Sequence, residues 1–375
     1  MIYADYSATT PVDKEVAQSI YNLITTNYAN ASSVHSLGRE ASSLIENARK
    51  EIAKILNAEK NEIYFTSGGT ESDNWAIQGV IEATDKKHII TTCIEHHAVL
   101  NTCKNLEKRG VKVTYLSVDK DGRIDLNQLK NAITDDTALI SIMTANNEIG
   151  TLQDIHAIGE IAKEYNVPFH TDAVQAIGNV KIDVKKSNVS LLSLSAHKFY
   201  GPKGIGVLYV KNGVKIANQL FGGSQERDRR PGTLNTPLIV GLKNALIKAD
   251  ENLEANNQVL YKRTQKVKEI VLKAIPDALF NGHPEYRLKG NLSFSFSGVQ
   301  SEGLLVLLDT YGVMVSAGAA CSAGAVTVSH VIKAINDNAE NYGTIRISLS
   351  HLTTDEEAEA IGNAVVKAVQ NLRNR

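Results

Sequence analysis

The chemistry this sequence could perform gathers around one amine, one carboxylate and one glycine-rich turn. Lys198 follows the apolar run Leu191–Ser195, within Ser195-Ala196-His197-Lys198-Phe199-Tyr200-Gly201-Pro202-Lys203-Gly204. An amine closing a buried strand is poorly solvated, which lowers its pKa and makes it a usable nucleophile. Taken singly, a lysine whose stem packs while its ammonium reaches water is the plainer reading. Lys203, held between Pro202 and Gly204, reads as an exposed turn residue. A second apolar run, Val167–Thr171, delivers Asp172, followed by Ala173-Val174-Gln175. A carboxylate there costs free energy unless it meets a cation or hydrogen-bond donors; a helix N-cap or a structural ion pair would also satisfy it. The third feature, Ser67-Gly68-Gly69-Thr70-Glu71-Ser72, follows the run Glu62–Thr66. Its glycines let the backbone approach a ligand, and a helix beginning near Thr70 offers free N–H groups and a dipole to an anion. It is neither a P-loop nor a dinucleotide fingerprint, because Gly-Lys-Ser/Thr and Gly-x-Gly-x-x-Gly are both absent.

Together, an anion cradle, a carboxylate for a ring nitrogen and a Schiff-base lysine are what pyridoxal 5'-phosphate requires. On that reading Ser195 and His197 join Gly69 and Thr70 around the phosphate, and Asp172 keeps the pyridine nitrogen protonated. His96, in Cys93-Ile94-Glu95-His96-His97, could stack on the ring and move protons. A zinc site from Cys93, His96, His97 and Cys103 is the competing idea. It requires four converging ligands, whereas Cys103 falls inside an expected helix Ala98–Lys108 and consecutive histidines point apart. Cys321 lies in Ser316-Ala317-Gly318-Ala319-Ala320-Cys321-Ser322-Ala323-Gly324-Ala325, a small-residue stretch without apolar periodicity. Such a stretch reads as a mobile loop, and beside a cofactor a loop thiol becomes a nucleophile.

The elements that must position these groups follow from periodicity. Residues Ser36 to Leu56 put Leu37, Ala41, Leu44, Ile45, Ala48, Ile52, Ile55 and Leu56 on one helical stripe. Strands are expected at Glu62–Thr66, His88–Thr92, Val111–Val118, Ala138–Met143, Val167–Asp172, Leu191–Ser195 and Ile205–Val210. Most are nearly continuous apolar runs, as in a sheet covered on both faces. Ligands of such sheets bind beyond the carboxyl ends of the strands, where the unusual residues stand. A helical stretch from Asn244 to about Ile275 leads to a second unit, with strands at Asn291–Ser297 and Thr344–Ser348 and helices at Glu302–Tyr311 and Thr354–Leu372. That mixture indicates a smaller α+β domain.

Composition narrows the function classes. The 375 residues carry 40 Lys+Arg against 41 Asp+Glu, and 43% are hydrophobic. A nearly neutral chain without charge runs is a poor match for direct nucleic-acid binding. Nothing approaches the ~20 apolar residues of a membrane span. Three cysteines are too few for a disulfide framework, so a reducing, cytoplasmic setting is expected.

The motifs resemble those of the cysteine desulfurases of the NifS/IscS type, in the class V branch of fold-type I pyridoxal phosphate enzymes. The resemblance runs from Asp5-Tyr6-Ser7-Ala8-Thr9-Thr10-Pro11 through Asn30-Ala31-Ser32-Ser33-Val34-His35, Thr66-Ser67-Gly68-Gly69-Thr70-Glu71-Ser72, Glu95-His96 and Asn146-Asn147-Glu148-Ile149-Gly150. It continues through His170-Thr171-Asp172-Ala173-Val174-Gln175, Ser195-Ala196-His197-Lys198, Arg230-Pro231-Gly232-Thr233 and Ser316-Ala317-Gly318-Ala319-Ala320-Cys321 to Arg346-Ile347-Ser348-Leu349-Ser350.

The resemblance implies a large α/β domain over residues 13–255 with a mainly parallel seven-stranded sheet. Residues 1–12 and 256–375 would form a small α+β domain carrying the cysteine loop. It also implies that Lys198 holds the cofactor, His96 stacks on its ring, Asp172 pairs with its nitrogen and Gln175 contacts its phenolic oxygen. Asn147 and Arg346 would grip L-cysteine, Arg346 through the α-carboxylate. Thr233 would reach the phosphate from the second subunit of a homodimer. Cys321 would take the substrate sulfur as a persulfide, leaving L-alanine, for an acceptor in iron–sulfur cluster assembly or in tRNA or cofactor thiolation. The loop reads Ala319-Ala320-Cys321-Ser322-Ala323-Gly324, where many relatives have Gly-Ser-Ala-Cys-Thr-Ser. A selenocysteine or cysteine lyase would not need Cys321, and a class V aminotransferase would keep Lys198 and Asp172 without using it.

Overall fold

The computed structural model describes residues 1–318 and 328–374. Helix α1 (Lys14–Thr26) opens on Asp13, whose carboxylate accepts from the Glu15 and Val16 amides. Helix α2 (Ser36–Leu56) has the predicted limits, and its buried residues include Ala41, Ile45, Ala48 and Ile52.

Among the described residues, seven strands form one sheet: β2 (Ile63–Thr66), β3 (His88–Thr92), β4 (Lys112–Leu116), β5 (Thr137–Ser141), β6 (Phe169–Asp172), β7 (Leu191–Ser195) and β8 (Gly206–Val210). Their order is β2-β8-β7-β6-β5-β3-β4. β8 runs antiparallel to both neighbours and every other pair is parallel. All strands but β8 therefore end on one edge of the sheet. The period-2 alternation of side chains splits the core between its faces. Ile63, Phe65, Val207 and Tyr209 pack in one cluster, while Tyr64, Leu208 and Val210 pack in another. The first includes residues of α2 and of α8 (Thr236–Glu251); the second includes residues of α3 (Gly69–Glu82) and α4 (His97–Glu107). Sequence expectation overextends the edge strand β4 at both ends, because its residues are only partly buried and the apolar run outlasts the pairing.

Helices α5 (Leu126–Ala132) and α6 (Ile155–Glu164) complete the crossovers, and α7 (Gln225–Asp228) is a single turn before α8. The helical stretch expected as one unit is two helices, α8 and α9 (Leu253–Ala274), divided at Asn252. A separate core holds Leu260, Val267 and Val271 of α9 together with Phe294, Ile345 and Val365. It surrounds the antiparallel sheet β12-β10-β9, made of β9 (Leu279–Phe280), β10 (Asn291–Ser297) and β12 (Tyr342–Ser348). Helices α10 (Ser301–Thr310) and α12 (Asp355–Arg373) accompany it, whereas α11 (His330–Ile335) packs Val331 and Ile332 against Ile94 and Ile149. The chain's first strand, β1 (Ile2–Tyr3), pairs with β11 (Val313–Met314) in this second part of the molecule. The N-terminal segment thus crosses between the two cores.

Candidate active site

The carboxyl ends of the parallel strands converge on a cavity of about 260 Å³. Gly69, Thr70, His96, Asn147, Asp172, Gln175, Ser195, His197, Lys198 and Arg346 all line it. Of the expected site residues, Thr233 is exposed and outside this lining, and Cys321 lies outside the described residues. Sequence reasoning missed Ser7, Ala8, Asp73, Met143 and Val174, which complete the wall.

Helix α3 begins at Gly69, and its N-cap, Gly68, has no side chain to offer the first-turn amides. An anion at this end would satisfy groups that a Ser or Asp cap satisfies elsewhere. The cradle admits no side chain: a Cβ on Gly69 would lie 2.7 Å from Val174 Cγ2 and 3.8 Å from Ser195 Cβ. His197 Nδ1 hydrogen-bonds with Thr9 Oγ1 at 3.1 Å, and burial pushes its pKa down to about 4, so it is a neutral partner.

At the other side of the cavity, Asp172 accepts from the Val174 amide at 2.9 Å. Burial raises its pKa, and His96 and Lys198 pull it back down. A protonated ring nitrogen would act in the same direction as those two and hold the carboxylate charged. His96 caps α4, its Nδ1 accepting from the Ala98 amide at 3.1 Å, which fixes the ring over the cavity. Burial lowers its pKa, with Asp172 opposing. The glycine cradle, uncapped helix, buried carboxylate and lysine therefore fit pyridoxal 5'-phosphate.

Lys198 Nζ donates to the carbonyls of Ser7 at 2.6 Å and Ala8 at 3.0 Å. Gln175 Nε2 donates to the same Ser7 carbonyl at 2.9 Å. The N-terminal segment therefore orients both side chains.

Arg346, on β12, enters from the second part of the molecule. Its NH2 donates to Asp5 Oδ1 at 2.7 Å and its NH1 to the Asn147 carbonyl at 3.3 Å. Nε is buried without a hydrogen-bond partner among the described residues. The guanidinium is thus held between Asp5 and Asn147.

Beneath the cavity lie more carboxyl groups than the sequence reveals. Asp73 is buried, and desolvation first, then Asp172, raises its pKa well above the ordinary value. Glu95 accepts from Thr92 Oγ1 at 2.8 Å and the Met143 amide at 3.0 Å; burial still pushes it up to about 8. His170 Nε2 stands 3.6 Å from Asp73 Oδ1, but burial lowers its pKa to about 3, so the contact is not an ion pair.

Of the two neighbouring histidines, His96 lines the cavity, and His97 packs on His330 with ring centroids 4.9 Å apart. Cys103 is buried within α4, and burial pushes its thiol up to about 12. Lys203 is exposed, as expected of a turn.

One ion pair ties down the Arg230–Thr233 segment, and a second, buried pair holds the turn that precedes it. Arg230 Nε meets Glu71 Oε1 at 2.8 Å, and buried Glu226 takes Arg49 NH2 at 2.7 Å as well as the Phe65 amide at 2.8 Å. Removing one partner of such a buried pair costs about 3–5 kcal/mol.

Comparison with known proteins agrees with this geometry. Residues 2–361 match the aminotransferase class-V family. The chain is 52% identical to the cysteine desulfurase IscS of Methanosarcina thermophila, covering 100% of this chain and 93% of the relative. It is 48% identical to the enzyme of the same name from Clostridium botulinum, covering 99% and 95%. A solved NifS-like protein superposes with a TM-score of 0.92 at 38% identity, covering 99% of both chains. SspA, solved in complex with cysteine, gives 0.81 at 39% identity, covering 93% of this chain and 99% of that one. The chain belongs to the class V aminotransferase family, on its cysteine desulfurase branch.

Proposed function

We propose that the protein is a pyridoxal phosphate-dependent cysteine desulfurase that takes sulfur from L-cysteine, leaves L-alanine and passes the sulfur on from Cys321. The observation that carries this reading is the convergence of Lys198, Asp172, His96, the α3 N-terminus and Arg346 on one cavity. The similarity to a protein solved with cysteine supports the substrate.

The cofactor supplies an electron sink for charge developing at the substrate α-carbon. The chain supplies the rest. The amides at the start of α3, with Ser195 and His197, hold the phosphate, while Asp172 faces the ring nitrogen and His96 the ring. Gln175 has a second N–H for the phenolic oxygen. Arg346 and Asn147 take the α-carboxylate, Arg346 through its guanidinium. Lys198 Nζ, once released by substrate, takes the proton from the α-carbon, and the Ser7 and Ala8 carbonyls keep it within reach. The Cys321 thiolate attacks the substrate sulfur: a new S–S bond forms, the C–S bond breaks, and carbon is reprotonated to give alanine.

Thr233 serves the site of a second copy, in keeping with its exposure and the Arg230–Glu71 pair that anchors its segment. The acceptor is a thiol-bearing partner in iron–sulfur assembly or in tRNA or cofactor thiolation. The test is turnover of L-cysteine with excess dithiol. Alanine and sulfide in equal amounts are expected; pyruvate and ammonia in place of alanine, or no product, would overturn the assignment.

A further inference from the structure

Arg287 has no part in the chemistry described above, yet it is a cation buried between the two parts of the molecule. It lies on the connection from β9 to β10 and is 7% exposed. All its hydrogen-bond acceptors among the described residues are neutral oxygens, and burial lowers its pKa to about 9. A charge so placed costs free energy that a methionine or leucine would avoid, so its presence calls for a reason.

The reason lies in what the guanidinium joins. Its NH1 donates to the carbonyls of Asn281 at 3.1 Å and His283 at 3.3 Å, and its NH2 to the Asn291 carbonyl at 3.0 Å, all in the smaller part of the molecule. The same NH2 donates to the Ile149 carbonyl at 3.1 Å and to Asn291 Oδ1 at 3.2 Å. Ile149 belongs to the turn that bears Asn147, which Asn146 closes from within: its Oδ1 accepts from the Glu148 amide at 2.9 Å and the Ile149 amide at 3.0 Å. Two backbone hydrogen bonds run alongside, from the Leu288 amide to the Gly150 carbonyl and from the Leu152 amide to the Tyr286 carbonyl, each 2.9 Å. Asn291 Nδ2 reaches the Asn147 and Glu148 carbonyls at a long 3.4 Å. From Asn291 the connection continues to the site. Ser293 on β10 pairs with Arg346 on β12, and Arg346 NH1 donates to the Asn147 carbonyl at 3.3 Å. The path from the Asn147 turn through Arg287, β10 and Arg346 therefore closes on itself.

We infer that Arg287 is a positioning residue for the substrate α-carboxylate: it fastens the Asn147 turn to β10 and so fixes Asn147 relative to Arg346. This inference rests on the desulfurase reading, in which those two residues hold L-cysteine. An arginine suits the task because its planar fork presents several N–H donors at fixed angles, whereas a lysine offers a point charge on a flexible stem. Losing the fork loosens the turn, and the α-carboxylate then meets two partners no longer set to its width. Gly69, Asp172, His96 and Lys198 stand on strand ends and helices that Arg287 does not bond, so proton removal keeps its rate once substrate is bound.

The test uses the full-length, cofactor-loaded protein turning over L-cysteine with excess dithiol, in a cycle of Arg287→Met, Arg346→Lys and the double variant. Arg287→Met is expected to raise KM about 10-fold, the effect of losing one charge-assisted hydrogen bond, with kcat within about 2-fold of wild type and cofactor absorbance unchanged. In the Arg346→Lys background the same substitution should raise KM by less than about 3-fold, because the grip it serves is already lost. A merely structural role would instead lower the active fraction by one factor in both backgrounds and leave KM alone. Asn291→Ala gives a second route should Arg287→Met fold poorly, since it leaves Arg287 its backbone acceptors, and the same selective rise in KM is expected. Wild-type KM in either folded variant would overturn the inference, as would a fall in kcat with KM unchanged or an equal rise in KM in both backgrounds. Wild-type protein that forms no alanine from L-cysteine would overturn the desulfurase reading, and this inference with it.

Discussion

The floor of the cavity and its rim are built on opposite principles. On the floor, Asp172, Asp73, Glu95 and His170 sit buried on or behind strand ends, and burial pushes each toward its neutral form. At the rim, Arg346 is paired to Asp5 and exchanges backbone hydrogen bonds with Ser316. The floor fixes charge and proton inventory; the rim fixes where substrate is held. A two-stage reaction can use this division, because proton removal rewards a rigid, dry environment and sulfur transfer requires a nucleophile on chain outside the sheet.

Substitutions can break this comparison, and the largest effect belongs to the floor. Lys198→Ala should abolish the absorbance of covalently held cofactor and slow α-deuterium loss by at least ~10²–10⁴-fold, the usual contribution of a positioned acid–base group. A variant that kept both would remove the lysine from its role. Asp172→Asn is expected to retain cofactor but slow deuterium loss by ~10²–10³-fold, as for loss of one preorganised electrostatic partner. Equal rates in the two proteins would mean that the ring nitrogen needs no carboxylate.

Arg346→Lys sharpens the comparison from the rim. Losing the guanidinium fork should raise KM for L-cysteine by ~10–100-fold, equivalent to about 1.4–2.8 kcal/mol, and leave deuterium loss at saturation little changed. A fall in the saturated rate instead would make Arg346 part of the floor's chemistry.

The smallest effect is a pH dependence of stability. Burial raises Glu95 from 4.5 to about 8 in the folded state. Across that window the folded protein holds a proton that the unfolded chain has released, so stability falls as pH rises. Glu95→Gln removes this contribution. Its melting temperature should exceed that of the wild type by a margin that grows from pH 5 to pH 8. A margin independent of pH would show that Glu95 does not titrate in that range.

Much of the floor was legible because sheets covered on both faces write themselves as apolar runs. Val167–Thr171 announced the strand that ends at Asp172, and Leu191–Ser195 the one that precedes Lys198. The residues after those runs had to lie on one edge, and most of the site followed. What remained hidden depends on tertiary packing. Asp73 reads as a polar position on α3, and only the sheet behind it makes it a buried acid. Ser7 and Ala8 act through carbonyls, which no side-chain pattern records. The antiparallel course of β8 is set by ladder pairing with β2 and β7, which its residue types do not specify. At the rim, the Asp5–Arg346 pair joins residues 341 positions apart, beyond the reach of local periodicity.

The central claim is that sulfur leaves the substrate through Cys321, and one single-turnover measurement tests it. Purified protein is incubated with L-cysteine in the absence of reductant; alanine is quantified and the extra sulfur is mapped by mass spectrometry, with Cys321→Ala alongside. The account predicts one persulfide on Cys321 for each alanine formed, and neither persulfide nor matching alanine from the variant. Alanine with no sulfur on Cys321, or equal alanine from Cys321→Ala, would contradict it.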